Sequence, residues 1–370
     1  MAGLSYSLEV LPRGLRLTVG GYNEKIPELA KTVCECLKDR SFLPDEKTFA
    51  RFKDQVVRVA KAFDNKQPYG LASYYAGVVA EPRRFKRLNG GIRKELDKVT
   101  LKDLEEYSKT IWKEGKMKAL IQGNVEQKEA EELVNLVGGV LDFETGQVPE
   151  EYYPLLIPKE GLKLGVRNPN PNNLNDAVEV VIQSRDTSER GHAVVEVLAA
   201  IASEPFYDDL RTKQQLGYVV TSGVNANGET RSVVFLVQSG TKGAEGLSKA
   251  VSKFLEEFEG LLGGLSNEDV SEYVKGLLEK KLEPDKRLIY EVKRNWGEIA
   301  SDKLVFDRTQ REAKEMETVG KDDVLRWWKE AIAEGGMVEV RVRSKGGAEG
   351  RELGVDEIDK NREGRERGLG

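Results

Sequence analysis

The chain has 370 residues, a length that corresponds to about two domains. It is 39% hydrophobic and 33% charged, which provides for a sizeable core, and it contains no apolar run of the roughly 18 residues that a membrane-spanning helix requires. Its 58 basic and 63 acidic residues give a net charge of −5, so the composition argues against a general nucleic-acid coat and against a membrane protein.

The first half of the chain predicts a hairpin followed by helices. Residues 6–10 and 15–19 alternate apolar and polar side chains around a short turn, which is the pattern of a β-hairpin. Apolar residues recur with helical spacing over residues 26–37 and again over residues 130–141. Residues 117–121 predict a short strand between these helices.

The second half repeats this mixture of strands and helices. Residues 177–182 and 233–237 are near-continuous apolar runs and predict buried strands, while residues 247–262 form the best amphipathic helix of the chain. The polar string NPNPNN at residues 168–173 predicts a linker. From about residue 346 the sequence is rich in Gly, Glu and Arg without an apolar period, which predicts disorder.

An internal repeat indicates how these elements are grouped. Residues from Val99 align without gaps with residues from Val319 at a shift of 220, which places Tyr107 on Trp327, and the helix around Phe52 aligns with a later helix at a shift of 221. We therefore predict an α+β chain of two related α/β domains, each a mixed sheet with helices packed on one face. The counterparts of residues 150–215 would lie before residue 1, so we expect the first domain to lack its N-terminal portion and the chain to be the tail of a longer polypeptide. The predicted division is a truncated unit at 1–145, a linker and entry at 146–175, a second unit at 176–345 and a disordered tail at 346–370.

Residues that commonly bind metals are scarce. His192 is the single histidine, and Cys34 and Cys36 are the two cysteines. Because a tetrahedral zinc site needs three or four ligands, the chain cannot build a histidine-rich metal centre, and we expect no metal site. Two cysteines this close on a helix lie on different faces, so they predict no disulfide and favour a reducing compartment, interpreted as the cytoplasm.

A helix–turn–strand corner provides the candidate site. An apolar helix is predicted to run into Pro205, to resume, and to end at Gly217 as a left-handed cap, with Tyr218 opening the next strand. Arg211 then lies near Tyr218. A guanidinium group can hold a peptide carbonyl or carboxylate, and a phenol can donate to a developing oxyanion. In the alternative interpretation, Arg211 is a surface charge and Tyr218 is a half-buried packing residue, which explains the same pattern.

The same corner carries a family resemblance. The string SEPFYDDLRTKQQLGYVV at residues 203–220 resembles the C-terminal half of insulysin-type members of the pitrilysin family of inverted-motif zinc metallopeptidases. AGLSYSLEV, QPYGLASYY and IQGNV are similar to the family's third domain, and KRNWGEIASDKLVFDR and VLRWWKEAI to its fourth. The likeness covers residues 2–343.

The resemblance implies a fold, and it implies that zinc binding and substrate binding belong to different halves of the protein. Members of the family have four homologous α/β domains in two halves around a peptide chamber, with zinc and an H-x-x-E-H motif in the first domain. This chain contains no H-x-x-E-H, and its nearest string, from His192 to Glu196, lacks the second histidine. The resemblance therefore implies the substrate-binding, non-zinc half of a zinc metalloendopeptidase that degrades peptides, inactive alone, with zinc in a missing N-terminal half.

Residue roles and partners follow from the same resemblance. Arg211 and Tyr218 match the arginine and tyrosine that reach across the chamber, assist substrate binding and stabilise the tetrahedral intermediate at the zinc of the other half. The implied partners are peptide substrates and an N-terminal catalytic half or partner subunit.

A basic cluster is a second candidate. Lys280, Lys281, Lys286 and Arg287 flank a helix break, and interleaved acidic residues favour a solvated helix face. The family has a basic patch at the equivalent place that binds polyanions such as ATP, which these four residues match, although Pro284 and Asp285 depart from the family's order.

Other interpretations remain open. The chain can instead be a catalytically inactive partner or regulatory peptide-binding subunit. Independent hydrolysis with His192 as base, oriented by Glu196, has no supporting nucleophile motif. Aromatic residues at helical spacing are expected to be core packing, namely Tyr74, Tyr75, Trp296, Trp327 and Trp328. The uncovered edges of a truncated first unit predict that the chain alone associates or aggregates.

Overall fold

The computed structural model describes residues 3–11, 13–40, 42–82, 89–146, 153–333, 336–344 and 355–367. In chain order its elements are β1 (Ser5–Leu11), β2 (Gly14–Gly20), α1 (Ile26–Asp39), α2 (Glu46–Ala62), α3 (Pro68–Val79), α4 (Asn89–Leu96), α5 (Leu101–Thr110), β3 (Glu114–Gly115), α6 (Gln127–Leu141), β4 (Glu144–Thr145), β5 (Leu162–Arg167), β6 (Asp176–Gln183), α7 (Glu189–Tyr207), β7 (Val219–Asn227), β8 (Thr230–Ser239), α8 (Ala244–Gly264), α9 (Asn267–Lys281), α10 (Leu288–Ala300), α11 (Arg308–Met316), α12 (Lys321–Ala333), β9 (Met337–Arg343) and α13 (Val355–Arg367). In this described part, no helix is long and apolar enough to cross a bilayer.

The chain forms two compact units. Unit 1 consists of Met1–Lys61, Asn89–Tyr152 and Asp285–Phe306, and unit 2 consists of Ala62–Leu88, Tyr153–Pro284 and Asp307–Gly370. These bounds differ from the predicted ones, because α3 from the first half of the sequence lies in unit 2 and α10 from the second half lies in unit 1. The predicted bounds divide the chain into continuous segments, and such bounds cannot show that α3 and α10 belong to the other unit.

Unit 2 contains a mixed sheet of five strands in the order β5-β9-β6-β8-β7. The pair β5–β9 is parallel, and the pairs β9–β6, β6–β8 and β8–β7 are antiparallel. The predicted class, a mixed α/β fold, is confirmed. The central strand β6 is buried along its whole length, which explains why its sequence, DAVEVVIQ, shows little alternation.

Both faces of this sheet are covered. On one face α7, α8, α9 and α12 form the larger core with alternate residues of β6 and β8, among them Val180 and Phe235. On the other face α3 buries Leu71 and Ala72 against a second set of apolar strand residues. The sequence predicted helices on one face only of each sheet. The helix on the second face, α3, was not predicted to lie there because it is distant in sequence from the strands it covers.

Unit 1 buries fewer apolar side chains than unit 2 among the described residues. The predicted hairpin is confirmed as β1–β2, and β3 and β4 form a parallel pair of two residues each. The helical patterns over residues 26–37 and 130–141 are confirmed as α1 and α6. Residues 117–121, predicted as a strand, have no regular structure. Isolated strand backbone leaves its polar groups without partners, so an apolar run of this kind becomes a strand only beside a neighbour.

The predicted linker and tail also differ from the structure. The linker range contains β5, which pairs with β9 and buries Leu164 and Val166, while the asparagines after it form successive turns in which Asn168 Oδ1 accepts a hydrogen bond from the Asn170 N–H at 3.0 Å. In the predicted disordered tail, α13 buries Ile358 and Arg362, and the Arg362 Nε donates to the Glu81 carbonyl oxygen at 3.0 Å. One apolar residue and two anchored arginines, Arg362 and Arg365, hold this short helix, and so few contacts leave no apolar period in the sequence. Residues 147–152 of the predicted linker and residues 346–354 and 368–370 of the predicted tail lie outside the described residues.

Candidate functional site

The connection from α7 to β7 carries Arg211 and Tyr218. The side chain of Ser188 caps α7 by accepting a hydrogen bond from the Gly191 N–H at 3.0 Å. The helix was predicted to break at Pro205, but it continues to Tyr207 and then widens into a π-helix over Asp208–Lys213. Proline removes a helical hydrogen bond and crowds the preceding turn, and π turns, although rare, occur frequently at functional sites.

The predicted left-handed cap at Gly217 is wrong. The left-handed residue of this turn is Gln215, with a φ of 51°. Gly217 is needed for a different reason: a Cβ atom at this position would lie 1.9 Å from the backbone oxygen of Gln238 on β8. The glycine therefore permits the close approach of two backbones at the start of β7, which fixes the position of the next residue, Tyr218.

Arg211 and Tyr218 lie against each other. The guanidinium carbon of Arg211 is 4.8 Å from the centroid of the Tyr218 ring, and the Arg211 Nη1 donates to the Gly217 carbonyl oxygen at 2.7 Å. Tyr218 is 92% exposed. The guanidinium group thus supports the ring by a cation–π contact and orients it by a backbone hydrogen bond, while the phenol group stays accessible to a ligand.

An open cleft of 590 Å³ adjoins this pair. Its lining combines amide, hydroxyl and backbone groups with one aliphatic side chain, Leu216, and a single charged side chain, Arg211: Asn175, Arg211, Thr212, Gln215, Leu216, Gly217, Tyr218, Gln238, Gly240 and Thr241. Neutral donors and acceptors beside one cation suit a peptide backbone or a carboxylate. The Tyr69 N–H donates to Gln238 Oε1 at 3.0 Å and so orients this amide.

Sequence reasoning missed the rest of this lining. Asn175 precedes β6, Gln238 lies near the end of β8, and Gly240 and Thr241 follow that strand, so these residues come from chain segments far from Arg211. No local pattern marks them, because their proximity arises only from the pairing of β6 with β8 and of β8 with β7.

His192 lies near the start of α7 and is buried. It is 1% exposed, its Nε2 lies 2.8 Å from the Glu229 carbonyl oxygen, and its Nδ1 lies 3.1 Å from Glu312 Oε1. Both ring nitrogens are therefore engaged by oxygen atoms of the protein, which ties α7 to the β7–β8 turn and to α11.

Glu196, one turn further along α7, belongs to the same buried network. Lys281 Nζ lies 2.9 Å from both carboxylate oxygens of Glu196 and 2.8 Å from Glu312 Oε2. Burial by itself would raise the pKa of Glu312, but hydrogen bonds from His192 and Lys281 and the Lys281 charge outweigh it and lower that pKa to about 2. The network holds α7, α9 and α11 together.

This arrangement does not fit a zinc ion. The candidate ligands His192 and Glu196 are each bonded to other groups of the protein, and in the described ranges no cluster of three His, Cys, Asp or Glu residues is placed to hold a metal. The role of His192 that the geometry supports is structural.

The four basic candidates do not share one environment. Lys281 is engaged by the two carboxylates of the buried network, whereas Lys280 is exposed at the end of α9. Lys286 and Arg287 precede α10 and belong to unit 1. Polyanion binding at these residues stays a prediction.

Most of the aromatic residues named from sequence pack in cores. Trp328 is buried in the larger core, and Tyr74 and Tyr75 pack edge to face at 5.1 Å on the opposite face of the sheet. The Trp327 Nε1 donates to Ser184 Oγ at 3.1 Å. The Trp296 Nε1 is buried, and no hydrogen-bond partner is found for it among the described residues.

Comparisons with known proteins agree with the motifs. Residues 1–89 match a domain family described as the middle or third domain of M16 peptidases, and residues 197–296 match the C-terminal lobe domain 4 of PQQ synthase PqqF-like proteins. The human insulin-degrading enzyme is 29% identical over 339 residues, 90% of this chain and 33% of that protein. An Arabidopsis thaliana nardilysin-like protein is 30% identical over 345 residues, 89% of this chain and 32% of that protein. The chain thus spans about a third of the length of these relatives.

Solved structures agree on the fold. Pitrilysin superposes with a TM-score of 0.83 at 18% identity, over 98% of this chain and 39% of that one. A structure described as the inactive domain of an M16 peptidase from Pseudomonas fluorescens superposes with a TM-score of 0.66 at 14% identity, over 95% of this chain and 83% of that one. Along nine-tenths of its length the chain is therefore similar to insulin-degrading enzyme, and its two matched segments are similar to a third domain and to a C-terminal lobe domain of such peptidases, as the motifs around Arg211 and Trp296 predict.

Proposed function

We propose that this chain is the substrate-binding, non-zinc half of an insulysin-like zinc metalloendopeptidase. The observation that carries the proposal is the exposed Arg211–Tyr218 pair beside an open cleft of neutral polar groups. In this role the cleft holds a stretch of peptide backbone, and the Arg211 guanidinium group orients Tyr218 and attracts a carbonyl or carboxylate of the substrate. The Tyr218 hydroxyl donates to the oxygen that becomes negatively charged during hydrolysis.

The metal belongs to the other half in this proposal. Zinc would polarise the scissile carbonyl and activate the attacking water, and a separate N-terminal half would supply its ligands. The chain alone is then inactive, and cytoplasmic localisation is part of the same proposal.

Reconstitution tests these roles. The part of human insulin-degrading enzyme that this chain does not match is co-expressed with the chain, and cleavage of a quenched fluorescent peptide is measured. We expect zinc-dependent cleavage, and we expect Tyr218→Phe to lower kcat by about 10²-fold, the low end of the effect of removing one oxyanion donor. Arg211→Ala is expected to raise KM as well, because it removes both a substrate contact and the support of the ring.

Two variants are matched controls. Tyr207→Phe alters an exposed tyrosine at the end of α7, and Lys213→Ala removes a cation from the π-helical segment that also contains Arg211. Neither residue lines the cleft. Both are expected to leave cleavage unchanged. Full activity of the Arg211→Ala, Tyr218→Phe double variant would refute the assigned roles.

The second candidate is a catalytically inactive partner or regulatory peptide-binding subunit. It is favoured by the similarity of the fold to a structure described as an inactive M16 domain. In this case the chain binds peptides through the same cleft without contributing to turnover. Peptide binding that Arg211→Ala weakens, together with a cleavage rate that Tyr218→Phe leaves unchanged in the reconstituted complex, would select this candidate.

A further inference from the structure

The ring of His192 lies between two oxygen atoms that come from different parts of unit 2. Its Nε2 is 2.8 Å from the carbonyl oxygen of Glu229 in the turn between β7 and β8, and its Nδ1 is 3.1 Å from Glu312 Oε1 on α11. The ring is 1% exposed, so both contacts are shielded from bulk solvent. A carbonyl oxygen only accepts hydrogen bonds, so the contact with the turn is a hydrogen bond only when Nε2 carries a proton.

The second oxygen atom is also an acceptor only. Burial opposes the ionisation of Glu312, but hydrogen bonds from His192 and Lys281 and the Lys281 charge outweigh it and lower the pKa of Glu312 to about 2, so this group is a carboxylate at neutral pH. A neutral imidazole has one N–H group and one lone pair, whereas an imidazolium has two N–H groups. Only the protonated ring can therefore donate to Glu229 and to Glu312 at the same time.

Charged groups on four elements act on the second proton of the ring. Lys281 Nζ lies 2.8 Å from Glu312 Oε2, and Arg231 Nη2 lies 3.8 Å from Glu312 Oε1, so two cations share this carboxylate with the ring. The N-terminus of α7, one turn before His192, also disfavours a positive charge. The charged groups that face the ring or its partners are Glu196 on α7, Glu229 in the turn, Arg231 on β8, Lys281 on α9, and Arg308 and Glu312 on α11. The carboxylates favour the second proton and the cations oppose it, so a change of pH can add or remove this proton.

We propose that His192 is a pH-dependent anchor of the β7–β8 turn. The protonated ring donates to both oxygen atoms and ties the turn to α7 and α11. When the ring is neutral, its remaining N–H group stays at Nδ1, because a hydrogen bond to the charged Glu312 is about twice as strong as one to a neutral acceptor. The lone pair of Nε2 then faces the Glu229 carbonyl oxygen, and the turn loses its anchor.

Other contacts between the turn and the helices are longer. Asn227 Nδ2 donates to the Ala80 carbonyl oxygen at 3.4 Å, and Arg308 Nη1 lies 3.8 Å from Glu229 Oε2. The contact of His192 with the turn is shorter and lies at a buried ring, so its loss should be visible in the exchange of the turn's amide protons.

This anchor is separate from the candidate cleft. The strand β7 begins directly after Tyr218 and ends at Asn227, so the anchor holds the end of the strand that is opposite to the cleft. Neither His192, Glu229 nor Glu312 lines the cleft. The proposal is therefore independent of the peptide chemistry proposed above, and either can fail without the other.

Nuclear magnetic resonance tests the protonation directly, because His192 is the single histidine of the chain. Long-range ¹H–¹⁵N spectra of the full ¹⁵N-labelled chain are recorded from about pH 5 to about pH 8, the range in which an ordinary histidine titrates. At the low end we expect both ring nitrogens to carry protons that exchange slowly with solvent. At the high end we expect a neutral ring with its proton at Nδ1.

Hydrogen–deuterium exchange measures the effect on the turn. After correction for the intrinsic pH dependence of exchange, the protection of residues 227–231 should fall about tenfold or more as the ring loses its proton, which corresponds to about one charge-assisted hydrogen bond. The midpoint of this fall should coincide with the titration of the ring. Protection of the β6–β9 pair should not change over the same range.

Two variants separate the ring from its surroundings. His192→Phe keeps a planar ring without nitrogen atoms, so the turn should exchange rapidly at every pH and the pH-dependent fall should disappear. Arg308→Gln is the matched control, because it removes a charge near the Glu229 side chain and leaves the carbonyl contact in place. This variant should keep the pH-dependent fall. If His192→Phe does not fold, the spectra and the exchange of the unmodified chain still decide.

Three results would overturn the proposal. The first is a ring that keeps both protons, or never carries both, over the whole pH range. The second is a neutral ring with its proton at Nε2, since the contact with the turn would then survive. The third is protection of residues 227–231 that does not follow the titration of the ring, or a pH-dependent fall that His192→Phe retains.

Discussion

The substitution Gly217→Ala tests how the candidate site is held in place. The added Cβ atom would lie 1.9 Å from the Gln238 carbonyl oxygen and 3.2 Å from the Ser239 Cα atom. Both neighbours are backbone atoms of β8, so no change of rotamer relieves the overlap. The turn must move by about 1.5 Å to reach an ordinary contact, and this movement shifts the carbonyl oxygen that accepts the hydrogen bond from Arg211.

The magnitude follows from the cost of overpacking. Inserting a methyl group into a packed backbone contact destabilises a protein by about 1–3 kcal/mol. Gly223→Ala on β7 is the matched control, because a Cβ atom there has no neighbour within 4 Å. At a compatible position this substitution stabilises by about 0.4–1 kcal/mol through the unfolded state. The two variants should therefore differ by about 1.4–4 kcal/mol, or roughly 3–16 °C in the melting temperature of a unit of this size.

Differential scanning calorimetry measures the difference in stability, and hydrogen–deuterium exchange locates it. In Gly217→Ala we expect faster exchange at the β7–β8 pair and unchanged exchange at the β6–β9 pair, which lies further from the substitution in the sheet. Equal melting temperatures for the two variants, with unchanged exchange at β7–β8, would refute the close approach and the argument that Gly217 positions Tyr218.

Three further predictions concern charged groups. Lys281→Met removes the cation that lies between the buried Glu312 and the partly buried Glu196 and should destabilise unit 2 by about 3 kcal/mol in urea unfolding. Lys280→Met on the exposed face should change stability by less than about 0.5 kcal/mol, and similar values for the two variants would contradict the network. Burial between α3 and β6 raises the pKa of Glu179 to about 7, from 4.5, although a hydrogen bond from a serine opposes the shift. Between pH 4.5 and about pH 7 the folded state therefore binds more protons than the unfolded state. The contribution of Glu179 to the free energy of unfolding is full below pH 4.5 and is lost as the pH rises through about 7. Glu179→Gln should therefore remove up to about 3 kcal/mol of the stability difference between pH 4.5 and pH 8, whereas the exposed control Glu272→Gln should keep this difference. If the basic residues bind polyanions, ATP at low salt should raise the melting temperature and Arg287→Ala should reduce the rise; no rise in the unmodified chain would leave only a solvated helix face.

Local patterns in the sequence predicted much of the secondary structure. The hairpin, α1, α6, β6, β8 and α8 each follow from a period of side-chain hydrophobicity, and the motifs around Arg211 and Trp296 identified the related peptidases. These features depend on neighbours within about 20 residues, so the linear sequence contains all the information they require. The adjacency of Arg211 and Tyr218 was predictable for the same reason, because both lie on one short connection.

The tertiary structure alone decided which elements meet. It placed α3 on the second face of the unit 2 sheet, assembled the cleft from three separate segments, and engaged His192 in a buried network with Glu312 and Lys281. It also decided that residues 117–121 do not form a strand, although their sequence is suited to one. An apolar segment forms a strand only if its backbone groups find hydrogen-bonding partners. These partners are far away in sequence or on another polypeptide, so the local pattern of side-chain hydrophobicity does not predict them.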